Sequence, residues 1–218
     1  MIADSVHYLD AILDAMAVKW PDNRTINIVC HGHSVPAGYF ATPYVNTLEA
    51  YPAQLLRFIT ERFPFAVVNV IVTAIGGESS PAGAERFERD VLCHRPDLVT
   101  VDYGLNDRGI GLAEAEKAWR FMIETALNRG CKVILLTPTW DQTYFAGGEG
   151  WKQLADHAAQ IRILADKYEV GLADSFAAFS KHVHQHEDLV GLLSHVNHPS
   201  AKGHRLVAEA LGGFFPPR

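Results

Sequence analysis

A serine stands directly after a short apolar run near the start of the chain. Residues 26–30 are rich in β-branched side chains and too few for a helix, which predicts a buried strand. Ser34 follows after Gly32, at the point where the chain leaves that strand. Ligands of open α/β sheets bind at the carboxyl ends of the strands. The Ser34 hydroxyl is therefore placed either to act as a nucleophile or, more simply, to cap the next helix.

Three further polar groups follow predicted elements in the same way. Gly77 belongs to a glycine-rich loop after the second predicted strand, and Asn106 follows the third. His198 lies in a histidine-rich segment near the end of the chain. Acyl transfer requires a nucleophile, a base for its proton and hydrogen-bond donors for the oxyanion. A serine hydroxyl, an imidazole, an unobstructed glycine N–H and a side-chain amide supply those groups.

At these four places the chain resembles the SGNH (GDSL-like) hydrolases, a family of esterases, lipases, thioesterases and carbohydrate deacetylases. The corresponding segments, in the order of the family, are Gly32-His33-Ser34 for Gly-Asp-Ser, Gly77-Glu78-Ser79 for the glycine motif, Gly104-Leu105-Asn106-Asp107 for Gly-x-Asn-Asp, and His195-Val196-Asn197-His198-Pro199 for Asp-x-x-His-Pro. The resemblance implies that Ser34 is the nucleophile and His198 the general base. It also implies an oxyanion hole formed by the Ser34 N–H, the Gly77 N–H and Asn106 Nδ2.

Two positions depart from the motifs of that family. His33 replaces the aspartate of the first motif, and His195 stands where the triad aspartate is expected. An aspartate orients the imidazole and stabilises the imidazolium, whereas a neutral histidine compensates charge poorly. Three explanations remain open: a Ser34–His198 dyad oriented by a backbone carbonyl, a carboxylate from Asp188 or Glu187, or a weakened or lost activity. His195 itself remains a candidate for the orienting group.

Elements that position these residues alternate between strand and helix. Apolar runs predict five strands at 26–30, 66–72, 97–103, 132–137 and 170–173, and helical spacing predicts helices at 5–18, 52–63, 82–93, 111–129, 151–168, 175–185 and 200–212. Continuous apolar strands of this kind are typical of parallel sheets covered on both faces. The prediction is a three-layer, doubly wound, flavodoxin-like α/β fold with a five-stranded parallel sheet. It forms one domain over residues 1–218, with an N-terminal helix in residues 1–20 before the first strand.

Composition limits the partners. The formal net charge is −6 and no basic block occurs, which argues against nucleic-acid binding. No apolar run approaches the length of a membrane span, and the first residues lack the basic and apolar regions of a signal peptide, so we expect a cytoplasmic protein without a membrane partner. The three cysteines are an odd number in apolar or helical stretches, which indicates core residues rather than disulfides. The expected partner is a small-molecule ester, and the oligomeric state stays open.

The histidines clustered in residues 182–204 bear on metal binding, and the aromatic residues of the 139–148 loop bear on the substrate cleft. Among the clustered histidines, the spacing of His182, His184 and His186 does not place all three on one helix face. No zinc-type cysteine or carboxylate spacing accompanies them, so we expect no metal and no cofactor. Trp140 and Tyr144 lie in a polar loop, and we expect them to border the substrate cleft together with His33.

The sequence therefore predicts a serine esterase acting on a small ester, with a short acyl group such as acetyl on a carbohydrate as the first substrate. Alternatives within the class are a lysophospholipase, an arylesterase or a thioesterase. An alternative of another class is a non-catalytic ligand- or sugar-binding relative that has lost the triad acid.

Overall fold

A five-stranded parallel sheet forms the centre of the computed structural model, which describes residues 1–186, 188–195 and 197–217. Its strands are β1 (Thr25–Gly32), β2 (Val67–Val72), β3 (Leu98–Asp102), β4 (Lys132–Leu136) and β5 (Gly171–Ala173). The spatial order is β2-β1-β3-β4-β5, and every neighbouring pair is parallel. This is the flavodoxin-like order, so the predicted doubly wound fold is confirmed.

Helices connect the strands and cover both faces of the sheet. They are α1 (Asp10–Ala17), α2 (Ser34–Ala37), α3 (Tyr51–Arg62), α4 (Ser80–Glu85), α5 (Phe87–Asp90), α6 (Leu112–Asn128), α7 (Thr143–Ala146), α8 (Gly148–Tyr168), α9 (Ser175–His186) and α10 (Ala201–Gly212). Short 3₁₀ turns lie at Thr47–Glu49, Leu92–His94, Asp107–Gly109 and Val190–Leu192.

Alternation along the strands divides the core into two layers. In β1, Ile26, Ile28 and Cys30 pack into the cluster that contains α1, α3, α9 and α10. Val29 points the other way, into the cluster with α4, α5 and α6. Successive side chains of a strand face opposite sides of a sheet, and here both sides are apolar. The buried strands therefore fix the carboxyl ends of β1 and β3 side by side.

Two segments differ from the sequence prediction. The helix expected over 82–93 is divided into α4, α5 and a 3₁₀ turn, because the chain bends at Arg86, whose guanidinium is buried against Glu78. The predicted 5–18 helix begins only at Asp10.

A second, antiparallel sheet was not predicted. It consists of β6 (Leu193–His195) and β7 (His198–Pro199). These strands are shorter than a hydrophobic period can reveal. They matter because β7 carries His198.

Candidate active site

Ser34 lies at the first turn after β1, as the first residue of α2. A Cβ atom at Gly32 would lie 2.4 Å from the Asp102 carbonyl oxygen, so only glycine lets β1 approach β3 this closely. The short helix ends at Gly38, whose φ of +91° is accessible mainly to glycine. Ser34 is nearly buried, with 6% of its surface exposed. Two glycines thus determine where the hydroxyl points.

His198 meets Ser34 from the other end of the chain. Its Nε2 atom lies 3.0 Å from Ser34 Oγ, which is hydrogen-bond distance for a serine O–H donating to an imidazole nitrogen. Tyr39 stacks against the imidazole with ring centroids 6.2 Å apart and an interplanar angle of 28°. The Ser194 hydroxyl lies within 3.1 Å of the carbonyl oxygens of His198 and Phe40, and so holds the β6–β7 hairpin against the loop after α2. The predicted serine and histidine are therefore brought together.

The other imidazole nitrogen of His198 forms no hydrogen bond to a described residue. Nδ1 is buried and accepts or donates no hydrogen bond among the described residues. Burial lowers the pKa of His198 below its usual value, and charge on His33 or His195 lowers it further, whereas the Phe40 carbonyl acts in the opposite direction. The imidazole is thus held in its neutral form, in which Nε2 can accept a proton.

Gly77 and Asn106 border the same cleft as Ser34 and His198. This cleft has a volume of about 340 Å³ and is lined by Ser34, Tyr39, Thr42, Gly76, Gly77, Asn106, Asn197 and His198. Gly77 has a φ of +79°, and its α-carbon faces open space. One N–H of the Asn106 amide donates to the Glu78 carbonyl at 2.8 Å. An amide nitrogen has two hydrogens, so the second is free for a ligand.

A buried ion pair supports the loop that carries Gly77. Glu78 accepts from Arg86 Nε at 2.9 Å and from the Tyr103 hydroxyl at 2.8 Å. His31 Nε2 lies 3.1 Å from the same phenol oxygen. Burial lowers the pKa of His31 to about 4, so this imidazole is neutral at pH 7. This hydrogen-bond network fixes Glu78, which follows Gly77 in the chain and whose carbonyl accepts from Asn106.

In the described part of the chain, no candidate for the orienting acid brings a carboxylate into contact with His198. His195 is exposed and opposes His198 in the β6–β7 ladder. Asp188 is directed elsewhere: its carboxylate accepts from Lys202 Nζ at 2.9 Å and from the Gly191 N–H at 2.7 Å. Glu187 lies outside the described residues.

The three side chains expected at the cleft have other positions. His33 is 1% exposed, and its Nδ1 accepts the Val35 N–H at the start of α2. Trp140 is 2% exposed and packs within 4.7 Å of Trp151, centroid to centroid. Tyr144 lines a separate recess, with Phe145, Val183, His184 and Leu189. The geometry thus corrects the expectation that these three border the cleft with Ser34; aromatic packing withdraws Trp140 from the loop surface.

The predicted site residues do not include Tyr39 or Asp102, although the sequence indicates that the loop of residues 35–40 lines one wall of a site and that Asp102 is a structural hydrogen-bonding residue near a strand end. Tyr39 follows the serine motif closely, so its position beside the cleft had a signal in its proximity to Ser34. Asp102 is 5% exposed and its Oδ1 lies 3.5 Å from His33 Nε2. Because Asp102 lies near the end of the strand predicted over 97–103, the sequence indicates its position at the edge of the site but not its partner.

Neither a metal-binding cluster nor a membrane-spanning helix occurs among the described residues. Within residues 1–186, 188–195 and 197–217, no group of three or more His, Cys, Asp or Glu side chains is arranged to hold a metal ion. Across the same residues, every helix is too short or too polar to cross a membrane.

Solved structures with the same fold include several esterases. An acetylxylan esterase from Geobacillus stearothermophilus has a TM-score of 0.76 and 20% identity, over 88% of this chain and 95% of that one. A two-domain esterase active on acetylated mannans has a TM-score of 0.74 and 20% identity, over 96% of this chain and 52% of that one. An α/β hydrolase from the metagenome of Lake Arreo, Spain, has a TM-score of 0.74 and 20% identity, over 92% and 99%.

No curated protein matches the chain. The GDSL-like lipase/acylhydrolase family matches residues 30–206, which include Ser34, Gly77, Asn106 and His198. That range covers most of the chain and all four segments from which the resemblance was predicted. The chain belongs to the GDSL-like lipase/acylhydrolase family and is a carboxylic ester hydrolase.

Proposed function

We propose that this protein is a serine esterase that removes a short acyl group, with acetyl as the first candidate, from a carbohydrate. The observation that carries the proposal is the 3.0 Å separation of Ser34 Oγ and His198 Nε2 at a cleft also lined by Gly77 and Asn106. A nucleophile within hydrogen-bond reach of a base, beside two donors, meets the geometric requirement for acyl transfer.

The reaction follows from these positions. Ser34 Oγ attacks the ester carbonyl while its proton passes to His198 Nε2. The carbonyl oxygen becomes an oxyanion, which the Ser34 N–H, the Gly77 N–H and Asn106 Nδ2 stabilise. His198 then returns the proton to the leaving alcohol, and an acyl group remains on Ser34. Water, deprotonated by His198, hydrolyses that acyl-enzyme and restores both residues.

The cleft supports a short acyl group. Its volume of about 340 Å³ is at the lower end of the range typical of small-molecule sites. Its lining consists mainly of glycines and polar residues, with Tyr39 as the only large ring among the described lining residues. A long alkyl chain would find little apolar surface there and would gain little from burial.

The carbohydrate part of the proposal is supported by relatives of the same fold. Two of the similar structures are named for acetylated xylan or mannan substrates. At about one-fifth identity these relatives share the fold, and their substrates are carried to this chain as a proposal. We infer that the Phe40 carbonyl, rather than a carboxylate, is the orienting group for His198: it acts to raise the pKa of the imidazole, although Nδ1 forms no hydrogen bond to a described residue in this conformation.

The proposal is tested by hydrolysis of p-nitrophenyl acetate, butyrate and octanoate and by acetate release from acetylated xylan and mannan oligosaccharides. We expect activity that decreases with acyl length and is lost in Ser34→Ala and His198→Ala. His195→Gln tests the remaining candidate for the orienting group, and His7→Gln, at a largely exposed residue outside the cleft lining, is the matched histidine control. Wild-type rates equal to those of Ser34→Ala on every ester would contradict the proposal.

The unpartnered Nδ1 of His198 favours one second candidate, a carbohydrate-binding relative without turnover. An imidazole with no acceptor for Nδ1–H is a weaker base than one in a triad. A fluorophosphonate probe separates the two functions. An esterase reacts with the probe at Ser34, whereas a binding protein without an activated serine does not.

A further inference from the structure

A second imidazole reaches the Ser34 hydroxyl. His33 Nδ1 lies 3.4 Å from Ser34 Oγ, in addition to His198 Nε2 at 3.0 Å. His33 is almost fully buried and lies outside the lining of the cleft. It can therefore touch the nucleophile without touching a substrate.

The hydrogen bonds of His33 determine its tautomer. The Val35 N–H donates to His33 Nδ1 at 3.3 Å, so Nδ1 carries a lone pair. A neutral imidazole with an unprotonated Nδ1 has its proton on Nε2. That Nε2–H faces Asp102 Oδ1 at 3.5 Å, close to but not within a formed hydrogen bond.

Strand register places Asp102 at this position. Gly32 is paired with Asp102 across β1 and β3, and the His33 N–H donates to the Asp102 carbonyl at 3.3 Å. The Asp102 carboxylate is buried. The pKa of the nearby Tyr51 phenol is raised mainly by burial, and the negative charge of Asp102 raises it further. His33 Nε2, Tyr51 Oη and Thr100 Oγ1 belong to the buried polar atoms that have no hydrogen-bond partner among the described residues. A buried carboxylate is costly unless donors face it, and the His33 Nε2–H and the Tyr51 hydroxyl are the two donors that lie near it.

We propose that His33 and Asp102 form a positioning pair for Ser34, in which Asp102 holds His33 as the Nε2–H tautomer and the Nδ1 lone pair, already occupied by the Val35 N–H, turns the single Ser34 O–H proton toward His198 Nε2. The proposal rests on the proposed function, in which Ser34 is the nucleophile. His33 does not replace His198 as the base, because it does not line the cleft and cannot return a proton to the leaving alcohol. The pair supplies a fixed carboxylate behind the nucleophile in a chain whose position 195 is histidine.

The unmodified protein offers a direct test. Nitrogen-15 spectra of the imidazoles at pH 7 should show His33 with a protonated Nε2 and an unprotonated Nδ1. A His33 that is protonated at Nδ1, or at both nitrogens, would overturn the proposal. This readout depends on no substitution and on no substrate.

Substitutions test the pair in kinetics. Asp102→Asn keeps the shape but removes the charge, and we expect kcat to fall about tenfold to 10²-fold with KM unchanged, the cost typical of a misplaced reacting group. His33→Asp should also lower kcat, because it places a second carboxylate beside Asp102. His33→Asp combined with Asp102→Asn should recover part of that loss, since one carboxylate remains. Asp174→Asn, at an aspartate bound to Arg162, is the matched control.

Ser34→Ala in the same assay distinguishes a failure of the proposed function from a failure of the positioning pair. If Ser34→Ala leaves activity unchanged, the proposed function fails. If Ser34→Ala abolishes activity while Asp102→Asn and His33→Asp both behave like Asp174→Asn, the positioning pair is wrong and the proposed function stands. Thermal unfolding of each variant identifies a substitution that only prevents folding, in which case the double variant and the imidazole spectrum decide.

Discussion

Ser34 Oγ and His198 Nε2 lie 3.0 Å apart, although 164 positions separate the two residues in the chain. Ser34 is fixed by the end of β1 and His198 by the small β6–β7 sheet, so two independent elements converge on one hydrogen bond. Consequences of this contact can be measured.

Activity should depend on pH through His198. Burial lowers its pKa below the usual value of about 6.5, with charge on His33 and His195 adding to the effect and the Phe40 carbonyl opposing it. The base must be neutral, and a lowered pKa means that it is neutral at lower pH. We therefore expect kcat/KM for an uncharged ester to rise to half its plateau below pH 6.5. A midpoint above pH 7 in a profile from pH 4 to 9 would disagree with this environment.

Asn106 should contribute to the rate and little to binding. In the proposed mechanism its second N–H donates to an oxyanion that exists only in the transition state. Asn106→Ala should lower kcat by roughly 10²–10³-fold with little change in KM. Asn69→Ala is the control, because Asn69 on β2 donates to Asn27 and does not line the cleft. Equal rates for the two variants would exclude Asn106 from the oxyanion hole.

Gly32 should tolerate no side chain. Because a Cβ there would meet the Asp102 carbonyl oxygen, Gly32→Ala should reduce the free energy of unfolding by about 1–3 kcal/mol, the range of overpacking. Urea titration measures the change. Gly109→Ala is the matched control, since a Cβ at Gly109 meets nothing within 4 Å. A Gly32→Ala protein as stable as Gly109→Ala would show that β1 and β3 can separate at this point.

Acid should destabilise the fold through buried histidines. Burial lowers the pKa of His31 to about 4 and that of His204 to about 3. Between those values and about pH 6.5 the unfolded chain binds more protons than the folded one, so the free energy of unfolding should rise with pH across this window and level off above it. Urea titrations at several pH values test the slope. His31→Gln should reduce it, whereas His7→Gln, at a largely exposed residue, should not.

Fold and site differ in how far the sequence predicts them. The five strands of the central sheet are apolar runs long enough to identify, and their connection by helices implies the parallel order. Ser34, Gly77 and Asn106 each follow such a strand, and parallel strands share one carboxyl edge. Their meeting at one cleft therefore follows from local patterns.

Other contacts depend on tertiary register. Whether Asp102 meets His33 is decided by the pairing of Gly32 with Asp102 across two strands, which no local pattern reveals. Trp140 lies in a polar loop, yet Trp151 and Phe176 from two helices bury it. The β6–β7 sheet is too short to have a period, although it places His198.

Acetyl transfer to Ser34 defines the proposed reaction, and the acetyl group can be observed on the protein itself. Wild type and Ser34→Ala are mixed with p-nitrophenyl acetate, quenched in acid and mapped by peptide mass spectrometry, with His198→Ala for comparison. We expect one acetyl group on the peptide that contains Ser34 in wild type, much less in His198→Ala, and none in Ser34→Ala. An unmodified Ser34 peptide in wild type, in spite of measurable hydrolysis that persists in Ser34→Ala, would contradict the proposed reaction.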